Sequence, residues 1–287
     1  MRRTITGAQN LFVYALCGDS HAGFVNTSLR FLKAFTNADV LVVASRCAAD
    51  IRHDQVVRIE VDNRYDDHQA SILLKTNLHR LVGDRAGRCC YLDTDVVAVD
   101  SRIDSIFELK SGPVTFAADH GRMSGFSRWA VRCPCLAGDC DHLRQAIMSK
   151  FGVEVAEANW QHWNGGVFLF DSQSAGFMDT WHKYTLAIFD DRGWKTRDQG
   201  TLIATVWRQG LQYQPVLPRV YNYIVDAKHG VPDSKRSSLP VSGYYVDRSY
   251  SLDPGSRLPR PHFLHFINQS VGARGWKNWD EVEALLS

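Results

Sequence analysis

Several features that mark other classes of protein are missing from this sequence of 287 residues. No apolar run approaches the roughly 18 residues that a helix needs to cross a bilayer. Blocks of like charge are absent too, and 33 lysines and arginines against 31 aspartates and glutamates leave a net charge of +2. Proteins dedicated to nucleic acids or anionic membranes usually carry a basic stripe. We therefore predict no nucleic-acid partner and no transmembrane segment.

Cysteine is too sparse for the disulfide framework of a small secreted protein. The seven thiols are odd in number and irregularly spaced. At the N-terminus, Met1-Arg2-Arg3 and the apolar residues 11–16 imitate the charged and apolar parts of a signal peptide. Polar residues separate the two parts, however, and no small-x-small cleavage site follows. We interpret residues 11–16 as a buried first strand and predict a cytoplasmic protein with free thiols.

What the sequence does contain is an ordinary globular composition, 45% hydrophobic and 22% charged, which excludes disorder, collagen and coiled coil. Continuous apolar runs, typical of strands covered on both faces, alternate with segments of helical periodicity. This order predicts a single α/β domain with a mixed central sheet. Strands are expected at 11–16, 40–44, 88–92, 114–118, 166–170 and 262–266, and helices at 22–35, 68–82, 174–189, 197–208 and 279–286.

The sharpest local feature is the pair of aspartates that ends the third expected strand, in Tyr91-Leu92-Asp93-Thr94-Asp95-Val96-Val97. Side chains alternate along an extended chain, so Asp93 and Asp95 are expected on the same side, about 6.6 Å apart. Two carboxylates directed at one spot repel each other unless a cation or a proton lies between them. A divalent ion with oxygen ligands at roughly 2.1 Å would fit that gap. Two solvated aspartates are the simpler alternative, because Asp-x-Asp is frequent by chance.

Other segments give these aspartates a context, and together they resemble a known family. The strand that ends in Asp93-Thr94-Asp95 follows a helix containing Ser71-Ile72-Leu73-Leu74-Lys75, as in nucleotide-sugar glycosyltransferases of the GT-A fold. Four further segments resemble blocks of glycosyltransferase family 8 in the family's order. They are Trp163-Asn164-Gly165-Gly166-Val167-Phe168-Leu169-Phe170, Arg197-Asp198-Gln199-Gly200-Thr201-Leu202, Leu217-Pro218 with Tyr221-Asn222, and His262-Phe263-Leu264-His265-Phe266 with Gly275-Trp276-Lys277.

The resemblance implies a GT-A-like, Rossmann-like fold and a metal-dependent hexosyltransferase. The donor would be a nucleoside diphosphate sugar, foremost a uridine diphosphate sugar, and transfer would retain the anomeric configuration. The acceptor could be a glycan, a lipid-linked glycan or a protein. Within the single domain 1–287, residues 1–118 would be the nucleotide-binding half and 161–287 the acceptor-facing half with the C-terminal tail. Between them the regular alternation of strands and helices is lost, so residues 119–160 are expected to be a cysteine-rich insertion without a counterpart in the family pattern.

The resemblance also implies roles for individual residues. Asp93, Asp95 and His265 would bind Mn²⁺ or Mg²⁺, with Mn²⁺ favoured because Mg²⁺ prefers shells made only of oxygen. Asp198 and Gln199 would be the catalytic residues. The donor would be bound by Asp19, Lys75, Asp93, Thr94, Asn164, Gly165, Asp198, Gln199 and Lys277. Taken singly, each has a plainer interpretation: Lys75 and Asp198 as solvated helix residues, and His265 as a core histidine.

Four positions depart from the family pattern. Lys277 lacks the usual following proline, Gly165 stands where alanine is usual, Gly200 replaces a common aspartate, and Ile203 stands near a usual asparagine. The last two keep open a degenerate transferase that binds a nucleotide or a glycan without turnover. A second alternative is a haloacid-dehalogenase-like phosphatase, with Asp93 and Asp95 in its nucleophile loop and Asp190-Asp191 as its distal acidic pair.

A second cluster of chemically active residues comprises Cys133, Cys135, Cys140 and His142. Three thiols and an imidazole within ten residues could complete one tetrahedral Zn²⁺ site of structural type. The spacing is not that of a standard zinc finger, so free thiols in a loop are the alternative.

Overall fold

The computed structural model describes residues 10–83, 87–135, 138–226, 251–252, 256–267 and 279–287. Its strands are β1 (Leu11–Cys17), β2 (Asp39–Ser45), β3 (Val56–Arg58), β4 (Cys89–Leu92), β5 (Val96–Ala98), β6 (Thr115–Arg122), β7 (Gln161–Phe170), β8 (Tyr223–Asp226) and β9 (Phe263–Ile267). Its α-helices are α1 (Ala22–Phe35), α2 (Asp67–Thr76), α3 (Leu78–Val82), α4 (Met123–Ala130), α5 (His142–Phe151), α6 (Ala175–Phe189), α7 (Asp198–Arg208) and α8 (Trp279–Glu283).

The central sheet has six strands in the order β3-β2-β1-β4-β7-β6. Strands β3, β2, β1 and β4 are parallel, whereas β7 runs antiparallel to both of its neighbours. The predicted mixed central sheet is therefore confirmed. A smaller sheet has three strands in the order β5-β9-β8. Strand β5 follows β4 directly, and β9, which comes late in the sequence, pairs with both β5 and β8.

Helices cover both faces of the central sheet, which explains why its strands read as continuous apolar runs. All seven residues of β1 are buried. Val13 and its alternate neighbours face a core that includes Trp181 of α6 and Leu202 of α7. Tyr14 and its alternate neighbours face the opposite core, which includes Leu29 of α1.

Two of the segments described from the sequence have a different structure. The helix expected at 68–82 ends at Thr76, because Asn77 adopts a non-helical ψ of 10° before α3 begins. Residues 119–160, expected to be an irregular insertion, contain the end of β6 and the helices α4 and α5. Leu143 and Ile147 of α5 are fully buried in the main core. Only these two residues of α5 are buried, so the sequence carries too short an apolar stripe to predict the helix.

Among the described helices, none combines the length and the apolar character that crossing a membrane requires.

Candidate active site

The two aspartates lie in a tight turn between β4 and β5, not on an extended chain. The backbone NH of Val96 donates to the carbonyl oxygen of Asp93 at 3.1 Å, which closes the turn. The NH of Asp93 donates to Gly166 O at 2.8 Å, which fixes the turn to β7. The expectation that Asp93 and Asp95 lie on an extended chain is therefore wrong, although their carboxylates do converge. The turn brings them together.

His265 completes the cluster because β9 pairs antiparallel with β5 and sets His265 opposite Val96. One ligand atom from each of Asp93, Asp95 and His265 lies within 4.8 Å of the others. The Nε2 atom of His265 is 3.4 Å from Asp95 Oδ1. Burial alone would lower the pKa of His265, but the Asp95 carboxylate raises it above its usual value. His265 is thus a buried imidazole held against an acidic pair.

A chain of hydrogen bonds fixes the tautomer of that imidazole. The carboxylate of Asp119 accepts from Asn164 Nδ2 at 2.9 Å, so Asn164 Oδ1 is the acceptor end of its amide. Asn164 Oδ1 accepts from Asn222 Nδ2 at 3.0 Å, and Asn222 Oδ1 in turn lies 2.8 Å from His265 Nδ1. The proton therefore resides on Nδ1 in the neutral ring, and the Nε2 lone pair faces the aspartates.

Lys75 connects the acidic pair to α7. It is buried, with its Nζ 3.2 Å from Asp93 Oδ1 and 2.7 Å from Asp198 Oδ2. Tyr91 donates its hydroxyl to the same Asp93 oxygen at 2.5 Å. Burial would lower the pKa of Lys75 and raise that of Asp198, but their mutual attraction reverses both shifts. The interpretation of Lys75 and Asp198 as solvated helix residues is therefore wrong.

These side chains line one cavity of about 500 Å³ at the carboxyl ends of β1 and β4. Of the residues assigned by resemblance, the wall includes Lys75, Asp93, Thr94, Asp95, Asn164, Gly165, Asp198, Gln199 and His265. Asp19 is not among the described residues of the wall, and its Oδ1 accepts from the Ala49 NH at 2.8 Å. That hydrogen bond lowers the pKa of the Asp19 carboxyl. Lys277 lies outside the described residues.

Three supporting residues carry little signal in the sequence. Tyr91 only precedes the aspartate motif, and Asn222 only ends the segment of Leu217-Pro218 and Tyr221-Asn222. Asp119, which is 5% exposed, holds both Asn164 and Gln199, whose Nε2 donates to Asp119 Oδ2 at 2.8 Å. Its only signal in the sequence is its place after the strand expected at 114–118.

The two departures that favoured a degenerate protein lie in the core and not on the described cavity wall. A Cβ atom on Gly200 would lie 3.0 Å from the Trp194 ring and 3.2 Å from Ala130 Cβ. Ile203 is fully buried in the main core. Packing therefore accounts for both residues.

The acidic pair required by the phosphatase alternative lies elsewhere. Asp190 and Asp191 follow α6 and are not among the described residues of the cavity wall. Asp191 pairs with Lys150 Nζ at 2.6 Å. The partners of Asp93 and Asp95 are instead His265 and Lys75.

The second cluster is also brought together. One ligand atom from each of Cys133, Cys135, Cys140 and His142 lies within 4.8 Å of the others. The three cysteines lie on the connection between α4 and α5, and His142 is the first residue of α5.

Comparison with solved structures identifies the type of fold. No protein-family profile and no curated protein matches this sequence. The bifunctional glycosyltransferase WbbM, in an apo structure, matches 100% of this chain with a TM-score of 0.62 at 11% identity. This chain spans 51% of that one, about half its length. Mouse xyloside xylosyltransferase 1, also in the apo form, matches 91% of this chain and 97% of its own with a TM-score of 0.50, again at 11% identity. The chain is a single α/β domain with the GT-A-like fold of glycosyltransferases.

Proposed function

We propose that this protein is a metal-dependent glycosyltransferase, similar to family 8, that transfers a hexose from a nucleoside diphosphate sugar. A uridine diphosphate sugar is the first candidate donor. The observation that carries the proposal is the convergence of Asp93, Asp95 and His265 within 4.8 Å. The cluster lies on the wall of a cavity that Asp198 and Gln199 also line.

The residues present fit a divalent cation. Two ligands on opposite sides of an ion, each at about 2.1 Å, stand about 4.2 Å apart. The three ligand atoms lie within 4.8 Å of one another, so they are close enough to share one ion. Two carboxylates and one imidazole suit Mn²⁺ better than Mg²⁺. The hydrogen bond to Asn222 already leaves the Nε2 lone pair of His265 on the side of the aspartates. When bound, the ion would neutralise charge on the departing diphosphate.

The side chains around the cluster orient the donor sugar in this proposal. Lys75 occupies Oδ2 of Asp198, so Oδ1 is the oxygen available to accept a sugar hydroxyl. Gln199 Nε2 donates to Asp119, so the carbonyl oxygen of the same amide is the atom left to contact a ligand. Both residues therefore have one end fixed by the protein and one end for the donor.

Retention of configuration is part of the proposal. Asp198 is the carboxylate next to Gln199, and Lys75 keeps its pKa below the usual value. A carboxylate so stabilised is a weak base. A front-face reaction needs no such base: the acceptor oxygen bonds to the anomeric carbon as the phosphate oxygen leaves, and that phosphate oxygen takes the acceptor proton.

A donor panel tests the proposal. The protein would be incubated with uridine, guanosine and other nucleoside diphosphate sugars with Mn²⁺, and the released nucleoside diphosphate measured. We expect turnover of one donor class that EDTA abolishes and added Mn²⁺ restores, with a product whose anomeric configuration by NMR matches the donor. A folded protein that turns over no donor, or that hydrolyses a generic phosphomonoester instead, would contradict the proposal, and an inverted product would contradict retention.

Two adjacent glycines give a sharper prediction about the site. A Cβ atom on Gly166 would overlap the His265 ring and lie 2.8 Å from its Nδ1. Displacing a metal ligand by about 1 Å can cost about 100-fold in rate. We therefore expect Gly166→Ala to lower Mn²⁺-dependent donor turnover by about 100-fold and to weaken Mn²⁺ binding in a calorimetric titration.

The neighbouring Gly165→Ala is the matched control. Its Cβ atom would lie 3.1 Å from Lys75 Nζ and 3.3 Å from Asp198 Oδ2, so the lysine and the carboxylate need to shift by only a few tenths of an ångström, and the ring of His265 is not touched. We expect turnover within about threefold of wild type. If Gly166→Ala and Gly165→Ala both turned over donor at the wild-type rate, the position of His265 would be irrelevant to turnover.

A further inference from the structure

We propose that Cys133, Cys135, Cys140 and His142 bind one structural Zn²⁺ ion, at a site separate from the cavity. The proposal stands on geometry that does not involve the proposed transferase activity. The three cysteines lie on the connection between α4 and α5, and His142 is the first residue of α5. None of the four is among the described residues of the cavity wall. The structure forms no disulfide among the three cysteines.

The ligand atoms already have the spacing of a tetrahedral zinc site. With Zn–S bonds of about 2.3 Å and a Zn–N bond of about 2.0–2.1 Å, tetrahedral geometry sets sulfurs about 3.8 Å apart and sulfur and nitrogen about 3.6 Å apart. The Sγ atoms of Cys133 and Cys140 are 3.9 Å apart. Cys135 Sγ and His142 Nδ1 are 3.6 Å apart. No ligand atom must move far to complete the shell.

The number and type of ligands indicate a structural role. Four protein ligands fill a tetrahedral shell and leave no open position for a substrate or a water molecule, which is the pattern of structural zinc. Three thiolates and one imidazole also exclude Mg²⁺ and disfavour Mn²⁺, both of which prefer oxygen ligands. The two clusters of this protein therefore select different ions.

The zinc site would stabilise the segment that leads into α7. Arg132 N donates to Gly193 O at 2.8 Å, and Lys195 N donates to Ala130 O at 2.8 Å. This short antiparallel contact ends three residues before α7, which starts at Asp198. Zinc bound to Cys133 would hold the adjacent residues 130–132 in place, and these residues pair with 193–195. The ion would thereby fix the start of α7.

Metal analysis of the purified protein tests the proposal directly. Protein prepared without chelators or added zinc is expected to contain one zinc per chain by mass spectrometry. An organomercurial that binds thiolates should release that zinc in full, as detected with a chromogenic chelator. Cobalt substituted for zinc should show thiolate-to-cobalt charge transfer and the intense visible bands of a tetrahedral ion. None of these measurements needs a variant to fold.

Variants then locate the ion. Cys135→Ser is expected to lose the zinc, whereas Asp95→Asn, altered in the other cluster, and Cys47→Ser, a buried thiol outside both, should retain one zinc per chain. Zinc lost from Asp95→Asn but kept by Cys135→Ser would overturn the proposal. So would iron with acid-labile sulfide, or a metal-free wild-type protein with a disulfide between Cys133 and Cys140. Donor turnover is not a readout here, so failure of the proposed function leaves this outcome unaffected.

Discussion

Replacing Asp95 with asparagine is expected to abolish metal-dependent donor turnover. Asparagine has nearly the same shape, so the turn between β4 and β5 is retained, but one negative charge of the cation site is lost. Asp95 Oδ1 lies 3.4 Å from His265 Nε2, and both are proposed ligands of one ion. Losing even an outer partner of a metal ligand costs about 10–100-fold in metal affinity. We expect Asp95→Asn to weaken Mn²⁺ binding by about 100-fold or more, as measured by calorimetry.

An exposed aspartate provides the control for lost charge. Asp54 lies on the loop before β3 and is exposed, so Asp54→Asn removes the same charge without touching the cavity. We expect wild-type Mn²⁺ affinity and turnover in that variant. If Asp95→Asn binds Mn²⁺ as tightly as Asp54→Asn does, Asp95 is not a ligand. If Mn²⁺ binding is lost while turnover continues, the metal site is separate from the reaction.

The sequence predicted the elements whose pattern is local. The continuous apolar run of β1 and the helical spacing of α1 are both visible within a short stretch of sequence. The helix expected at 22–35 coincides with α1, Ala22–Phe35. Strands β3 and β5 have three residues each, too few to display any period. Their existence depends on pairing with distant strands, which a local pattern does not encode.

The candidate site shows the same division between local and distant information. Asp93 and Asp95 are separated by one residue, so their convergence could be expected from the local sequence. A turn, and not an extended chain, brings the two carboxylates together. His265 meets them only because β9 pairs with β5, and it was assigned by resemblance, not by spacing. Asp119 could not be assigned, because its partners come from β7 and α7.

Replacing Lys75 with methionine is expected to destabilise the fold by about 3–5 kcal/mol, the usual cost of removing one partner of a buried ion pair. Lys75 has a side chain that is 7% exposed, and its Nζ contacts the carboxylates of both Asp93 and Asp198. Methionine keeps the length and the helix propensity of lysine but leaves the two carboxylates without their shared cation. The free energy of unfolding in urea measures the loss. Lys183→Met, an exposed change on α6, should cost less than about 0.5 kcal/mol.

A double-mutant cycle separates the ion pair from other effects of the substitution. Asp198→Asn alone removes one of the two negative charges beside Lys75 but leaves Asp93 to pair with it, so a smaller loss is expected. In the double variant of Lys75→Met with Asp198→Asn, only the Asp93 carboxylate, whose side chain is 31% exposed, lacks its cationic partner. The combined loss should therefore be smaller than the sum of the two single losses by about 1–3 kcal/mol. Additive losses would mean that Lys75 stabilises the protein through its packing and not through its attraction to the Asp198 carboxylate.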